Sequence, residues 1–351
     1  MPPSAFPYYT GEPASKRTDS KPELPVADTE QLKDPSHYLA PPELASAVNV
    51  ALELGMPLLL TGDPGCGKSR LADAIAWELG LEGERAQRYV VHSDTSRRDL
   101  FYEFDAVGHF RARDADDQRH EARHFIKYNA LGLAILRANG RREAYRKIMS
   151  NPDFDKLPEQ GVRSVVLIDE IDKAPREVPN DLLTQLEDLR FNVPELLHDE
   201  DIALDASRQA NRPIIVITSN GERDLPPAFL RRCIYFHLEL PPFSDDDKNA
   251  SVTLERIVEE RLGDRYKHHD SLLADALNLF RHLRLSSLEQ KPSLAELLAW
   301  LLYLAKRPPA SGSLRDHREL DASVGILVKP HHQEERRRAD ELLREWRNAK
   351  P

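Results

Sequence analysis

The sequence of 351 residues contains only two cysteines, Cys66 and Cys233, and no apolar run long enough to cross a bilayer. Two thiols, one of them inside a glycine-rich loop, argue against a disulfide framework and are typical of a reducing compartment. A transmembrane helix needs about 20 consecutive apolar residues, so membrane insertion is not expected. The first residues also lack the apolar segment of a secretory signal peptide. We therefore expect a cytoplasmic protein.

An excess of positive charge is absent too, because 59 Asp and Glu residues outnumber 49 Lys and Arg residues. The formal net charge is -10, and the pI is about 5.8. Such an acidic balance does not favour contact with nucleic acids, so direct nucleic-acid binding is not expected. Two histidine pairs, His268-His269 and His331-His332, lack cysteine or carboxylate partners at metal-ligand spacing, and they predict no metal site.

Apolar strands alternate with amphipathic helices through the middle of the chain. Residues 1–35 are rich in Pro and charge without periodicity, which predicts a disordered arm. Residues 36–241 predict an α/β domain with a parallel sheet, in which residues 120–140 form one long helix. Residues 242–328 have helical periodicity only and predict a small helical domain. Residues 329–351 predict a charged C-terminal helix or tail, either solvated or used to dock a neighbour.

A glycine-rich loop follows the first buried strand, in the stretch LLLTGDPGCGKS. The loop matches the pattern G-x-x-x-x-G-K-[ST] between a strand and a helix, which is the context that this motif requires. Its backbone amides can surround phosphates, and the following helix adds its positive N-terminal end. We expect Lys68 to reach the β- and γ-phosphates and the Ser69 hydroxyl to bind Mg²⁺. The predicted binding residues are Gly62, Asp63, Pro64, Gly65, Cys66, Gly67, Lys68 and Ser69.

Two acidic residues end a second buried strand, in the stretch VVLIDEIDKAP. Asp169 at the strand end can hold Mg²⁺ through water, and Glu170 can act as a general base toward a water at the γ-phosphate. A third strand ends in Thr218-Ser219-Asn220. Asn220 either helps to position that water or is a turn residue before Gly221. The adjacent Asp-Glu pair favours hydrolysis over transfer to a small substrate.

A pair of arginines, Arg231 and Arg232, ends the stretch DLPPAFLRRC. Either guanidinium could reach a phosphate in a neighbouring subunit, since arginine fingers stabilise transition-state charge in this way. Alone, the pair would instead be read as surface ion-pair formers. A nucleotide kinase is disfavoured, because it would lack these features. A GTPase is excluded by the lack of an N-K-x-D stretch.

In this order, the phosphate loop, LIDE, TSN and LRRC resemble an AAA+ ATPase over residues 36–330, and LFYEFDAVGHF and SVGILVK resemble the MoxR-like group. The resemblance implies an αβα P-loop domain with a central parallel sheet, then a helical lid, with ATP and Mg²⁺ bound between them. It implies Walker A at the loop, Walker B at Asp169 and Glu170, and sensor 1 at Asn220. Arg232 matches the finger position, with Arg231 in reserve.

The resemblance further implies a homo-oligomer, a hexameric ring, that hydrolyses ATP at subunit interfaces. The implied partner is a remodelled or assembled protein, in the MoxR-like group one with a von Willebrand factor A domain. One departure is that QKPSLAELLAWL lacks the sensor-2 arginine. Lys291 either substitutes for it at the nucleotide or is a surface residue at a helix start. The alternatives left open are an ATPase of a DNA-linked defence or restriction system, and an assembly scaffold with weak hydrolysis.

Overall fold

The computed structural model describes residues 29–81, 83–114, 121–196, 201–307, 313–316 and 320–349. These residues form two compact units. One unit comprises residues 38–240 and is called the α/β unit below. The other, called the helical unit, comprises the described residues before 38 and after 240.

The α/β unit is built on short strands. In chain order they are β1 (Leu58–Thr61), β2 (Gln87–Val90), β3 (Tyr102–Phe104), β4 (Ile126–Tyr128), β5 (Val165–Asp169), β6 (Arg190–Phe191), β7 (Ile202–Ala203), β8 (Ile214–Thr218) and β9 (Ile234–His237). Five of them form one sheet in the order β2-β5-β8-β1-β9, and every pair in it is parallel. From β1 the chain crosses to β2 at one side of the sheet, and it returns through β5 and β8 to reach β9 on the other side of β1. The direction in which the chain crosses the sheet therefore reverses. Open parallel sheets bind ligands at such a point, outside the carboxyl ends of the strands.

Helices cover both faces of this sheet. Those of the unit are α1 (Pro42–Leu54), α2 (Lys68–Glu78), α3 (Ala106–Asp114), α4 (Ala130–Asn139), α5 (Asn151–Asp155), α6 (Glu177–Asp188) and α7 (Pro227–Leu230). Side chains alternate along a strand. Leu59 therefore belongs to the core under α4 and α6, whereas Leu58 and Leu60 belong to the core under α1 and α2. Burial on both faces explains why the strands are continuous apolar runs, and the α/β fold class is confirmed.

The long helix predicted over residues 120–140 was wrong in its first half. Ile126–Tyr128 is strand β4, which pairs antiparallel with β3, and helix α4 begins only at Ala130. Ile126 is buried and Lys127 is exposed, which is the alternation of a half-buried strand. The strand is only three residues long and lies directly before an apolar helix, so its alternation did not stand out in the sequence. Asn129 has an extended backbone and separates the strand from the helix. A second antiparallel pair joins β6 to β7 before the chain enters β8.

The helical unit contains α8 (Leu254–Tyr266), α9 (Asp270–Leu285), α10 (Leu294–Ala305), α11 (Leu320–Ser323) and α12 (Gln333–Asn348). Charged helix α12 buries its apolar side chains within this unit. Its Trp346 Nε1 donates to Asn278 Oδ1 of α9 at 2.7 Å, and the Arg315 guanidinium lies 4.6 Å from the Trp346 ring centroid. These contacts favour a helix packed in its own unit over an element that docks a neighbour. None of the helices in the described ranges has the length and apolar character needed to span a bilayer.

The described chain begins inside the range predicted as a disordered arm. Residues 1–28 lie outside the described residues, but Glu30–Lys33 and Pro35–His37 form 3₁₀ helices. Gln31 Nε2 donates to the carbonyl oxygen of Arg261 on α8 at 2.7 Å, and Arg261 donates to the carbonyl oxygen of Leu32 at 2.9 Å. Polar contacts hold this segment, and such contacts leave no hydrophobic periodicity to find in a sequence.

Candidate functional site

The loop between β1 and α2 lies at the carboxyl ends of the parallel strands. Gly62 has a φ of 137°, and a Cβ atom at this position would lie 2.1 Å from the Leu238 carbonyl oxygen. Gly67, with a φ of 105°, precedes α2, and no side chain caps the first turn of that helix. The Arg70 N–H donates to the Gly67 carbonyl oxygen at 3.1 Å. The N–H groups of Lys68 and Ser69 precede it at the helix start, where an α-helix supplies no intrahelical acceptor, and such groups can bind an external anion.

Lys68, the first residue of α2, places its ammonium group inside this loop. The residue is only 5% exposed, and Nζ donates to the carbonyl oxygens of Gly62 at 2.6 Å and Asp63 at 2.9 Å. A buried cation needs such partners. Cys66 Sγ lies 3.9 Å from Nζ, and burial raises the pKa of the Cys66 thiol, so this side chain remains neutral. The structure thus brings the predicted loop residues together around one buried positive charge.

Asp169, at the end of β5, is held beside the loop by two hydroxyl groups. Ser69 Oγ donates to Asp169 Oδ1 at 2.7 Å, and Thr218 Oγ1 donates to the same oxygen at 2.6 Å. The Nε of Arg88 on β2 lies 4.0 Å from Asp169 Oδ2. A hydroxyl and a carboxylate are oxygen donors of the kind that Mg²⁺ takes in phosphate sites. The predicted metal ligands Ser69 and Asp169 are therefore adjacent, and this donor set fits the ion.

Glu170 has both carboxylate oxygens engaged. Its Oε1 accepts from Asn220 Nδ2 at 3.1 Å, and its Oε2 accepts from Lys173 Nζ at 2.7 Å. The backbone has φ 62° and ψ 51°, a left-handed conformation that is uncommon outside glycine. The Glu170 N–H donates to Thr218 Oγ1 at 2.9 Å and helps to hold this conformation. Asn220 thus contacts Glu170 directly, and the water-positioning role expected for Asn220 stays a prediction.

Asp172 holds the turn that carries Asn220. The residue is 2% exposed, and its Oδ2 accepts the backbone N–H groups of Asn220 at 3.1 Å and Glu222 at 2.9 Å. No role was predicted from the sequence for Asp172, Lys173, Thr218 or Arg88. A third acidic residue shortly after the strand-end Asp-Glu pair was one available signal for Asp172. The bonds made by Thr218 and Arg88 depend on how separate strands align, whereas Lys173 bonds to Glu170 three residues earlier along the chain.

Arg231 and Arg232 lie at the amino ends of the parallel strands, opposite the ends that carry the phosphate loop. They follow α7 and precede β9, and the Arg232 guanidinium donates to Glu187 of the same chain. A pocket of about 370 Å³ beside them is lined by Met56, just before β1, and by Cys233, just before β9. The four residues of β1 separate the amino ends of the strands from the phosphate loop by about 13 Å. The arginines are therefore not brought to the loop of their own chain.

Lys291 belongs to the helical unit, outside the unit that carries the loop. It is exposed and lies two residues before Ser293. Ser293 caps α10 by accepting from the Glu296 N–H, and Glu296 returns a bond to the Ser293 N–H at 2.8 Å. Lys291 thus lies just before a helix start, a position that both of its interpretations share, and its substitution for the sensor-2 arginine stays a prediction.

A family model described as an AAA domain of the dynein-related subfamily matches residues 57–233. The match covers about half of the chain and includes the loop, Asp169, Glu170 and Asn220. The chain belongs to this AAA family. Membership in the AAA family implies that the loop binds a nucleotide, and it agrees with the sequence resemblance at the level of AAA+ ATPases.

This AAA chain has no match among curated proteins. Among solved structures it is similar to domain III of the replication initiation protein DnaA from Thermotoga maritima. That similarity has 16% identity and a TM-score of 0.37, over 88% of this chain and 100% of that one. It is also similar to a Cytophaga hutchinsonii protein provisionally described as an ATPase. There the identity is 14% and the TM-score 0.34, over 90% of this chain and 93% of that one.

Proposed function

We propose that this AAA protein is a MoxR-like ATPase that binds and hydrolyses ATP at subunit interfaces in order to remodel or assemble a protein partner. The observation that carries the proposal is the contact between Ser69 Oγ and Asp169 Oδ1 at 2.7 Å. It joins the phosphate loop to the strand end that presents Glu170. This contact supports the proposal, because the reaction requires the loop, the Ser69 and Asp169 oxygens and the Glu170 carboxylate to lie near one another.

The proposed reaction uses the residues in distinct roles. The loop amides and Lys68 bind the β- and γ-phosphates, and Ser69 and Asp169 hold Mg²⁺, which when bound neutralises charge on the phosphate oxygens. Glu170 accepts a proton from water while the water oxygen bonds to the γ-phosphorus. The bond from that phosphorus to the bridging oxygen breaks, and ADP leaves. Asn220 orients the water and the Glu170 carboxylate.

Arg232 is proposed to act on the ATP of a second copy of the chain, with Arg231 as the alternative. Both arginines lie at the amino ends of the strands, away from the loop of their own chain. This position supports action on the ATP of a neighbouring subunit over action on the ATP of the same subunit. Such an arginine contributes on the order of 10³-fold or more to turnover. We extend the proposal to a hexameric ring whose protein partner carries a von Willebrand factor A domain. The two free, buried cysteines fit the reducing cytoplasm in which we place it.

ATP turnover by the Glu170→Gln variant tests the hydrolytic role. We expect turnover to fall by about 100-fold or more, because general-base catalysis contributes 10²- to 10⁴-fold, while ATP binding persists. The exposed residue Glu159 offers a matched control, and Glu159→Gln should hydrolyse at the native rate. Undiminished hydrolysis by Glu170→Gln would overturn the role of this residue.

Turnover per subunit, measured against protein concentration, tests action between subunits. It should rise with concentration if an arginine of one copy completes the site of another, and Arg232→Ala should abolish the rise. Hydrolysis independent of concentration in a monomeric protein would contradict the interface. No turnover in any oligomer would favour the assembly scaffold instead.

A further inference from the structure

The pocket of about 370 Å³ at the amino ends of the strands lies among the end of α1, helix α6 and the turn after α7. Its volume falls within the range of small-molecule sites, which are mostly apolar and carry a few convergent polar groups. The apolar part of its lining consists of Met56, Leu183, Leu186, Phe229 and Cys233. The pocket therefore offers an apolar body a surface to pack against.

The charged part of the lining has an excess of positive charge. It consists of Arg212, Arg231, Arg232 and Glu187. The Glu187 carboxylate already accepts from Arg232, and both of these side chains are about half exposed. This ion pair leaves Arg212 and Arg231 without a carboxylate partner in the lining. An anionic group in the pocket would be attracted, because the unpaired charges that it meets are positive.

Arg212 distinguishes this pocket from an exposed basic patch. The residue is half-buried, and Nε donates to the Gly55 carbonyl oxygen at 3.1 Å. Nη2 donates to the carbonyl oxygens of Leu186 at 3.2 Å and Glu187 at 3.0 Å. A Cβ atom at Gly55 would lie 3.2 Å from Arg212 Nε, so the guanidinium lies directly against the backbone. The third nitrogen, Nη1, makes no hydrogen bond within the described ranges, so the guanidinium is held in place with one nitrogen available.

The charge of Arg212 forms no ion pair with a carboxylate of the described residues. The charge of Asp188 acts on it, but the Asp188 carboxylate is bound by Arg190 Nε at 3.0 Å. Desolvation lowers the pKa of Arg212, although an arginine remains protonated at neutral pH. Buried charges in proteins are normally paired. An anion bound at Nη1 would compensate this charge.

We propose that the pocket binds a small carboxylate with an apolar body, whose carboxylate accepts from Arg212 Nη1 and whose body packs on Met56 and Phe229. Guanidinium groups make strong, charge-assisted hydrogen bonds to carboxylates. Exposed Arg231 offers the same carboxylate a second cation. Binding at this pocket requires no ATP hydrolysis and is independent of the function proposed for the phosphate loop.

NMR of the full chain carrying ¹³C-methyl methionine tests the proposal. The sequence has only three methionines, which are Met56 in the pocket, Met149 in the core and Met1. With 2-naphthoate as the probe, the Met56 signal should shift and saturate with a Kd on the order of 1 mM or below. The Met149 signal should not move, and Met56→Leu assigns the signals. The neutral probe 2-naphthalenemethanol has the same ring and should bind about 10-fold more weakly, because it lacks the charge-assisted bond.

Arginine variants locate the bound charge. Arg212→Met should weaken 2-naphthoate binding about 10-fold or more, since a hydrogen bond to a charged group is lost. The matched control is Arg163→Met. The Arg163 guanidinium also binds a backbone carbonyl oxygen, that of Ala210 at 2.6 Å, but does not line the pocket, so this variant should bind as the native protein does. Thermal unfolding checks each variant, and the comparison of the two probes decides the matter if Arg212→Met does not fold.

Three results would overturn the proposal. One is equal affinity of the native protein for both probes, another is a Met56 signal that does not move, and the third is native affinity for 2-naphthoate in folded Arg212→Met. An affinity that falls as the protein concentration rises would assign the pocket to a second copy of the chain, which also contradicts the proposal. All of these are binding measurements, so they are distinguishable from a failure of the hydrolytic proposal, which Glu170→Gln reports.

Discussion

Replacing Asp172 should loosen the turn that presents Asn220 to Glu170. In Asp172→Ala, the Asn220 and Glu222 N–H groups lose the carboxylate that accepts them at 3.1 and 2.9 Å. A hydrogen bond to a charged group contributes about 1.5 to 3 kcal/mol. Glu222 is exposed, and water can replace part of its bond. We therefore expect the free energy of unfolding to fall by about 2 to 4 kcal/mol. Asp172→Asn keeps an acceptor oxygen and should lose about 1 kcal/mol.

Denaturant unfolding and amide hydrogen exchange together measure this effect. Exchange at the Asn220 and Glu222 amides should accelerate in Asp172→Ala, because local opening becomes easier, and kcat should fall as Asn220 loses its position. The exposed residue Asp181 provides the control, and Asp181→Ala should change stability by less than about 0.5 kcal/mol. An Asp172→Ala protein with native stability and native exchange at both amides would refute the reasoning.

Three further predictions concern the same unit. Ser69→Ala removes the hydroxyl beside Asp169, so Mg²⁺ should no longer strengthen ATP binding in calorimetric titrations, and an undiminished Mg²⁺ effect would contradict the donor set. Thr218→Val loses the bonds to Asp169 and to the Glu170 N–H and should unfold about 2 kcal/mol more easily, with Thr218→Ser close to native. Burial raises the pKa of Cys233 to about 12, so at pH 8.5 iodoacetamide should alkylate it far more slowly in native than in denatured protein, as followed by mass spectrometry. Equal rates would contradict that burial.

The elements that hold the site could be predicted because their signals are local. LLLT and VVLID are apolar runs bounded by turn residues, and the loop glycines, Lys68 and Ser69 follow one another in a fixed pattern. The family match confirms the class of protein that this pattern indicates. The roles of the individual site residues stay predictions, although the structure brings Lys68, Ser69 and Asp169 to one place.

Contacts between distant residues could not be predicted in the same way. Asn220 meets Glu170 across fifty positions of sequence, and Thr218 meets Asp169 across 49, because β5 and β8 pair in a particular register. That register depends on the packing of the whole sheet. The strand at residues 126–128 was missed for a similar reason, since its hydrogen bonds come from β3 and not from its own segment.

A mixing experiment with two inactive variants tests most directly whether one chain supplies the base and another the arginine. Glu170→Gln retains Arg232, and Arg232→Ala retains Glu170, so each alone should hydrolyse ATP at about a hundredth of the native rate or less. In an equal mixture about a quarter of head-to-tail interfaces would combine an intact Glu170 with an intact Arg232. Because only these interfaces would hydrolyse ATP, we predict that turnover recovers to about a quarter of the native rate. A mixture that forms oligomers yet remains as inactive as its components would contradict the account.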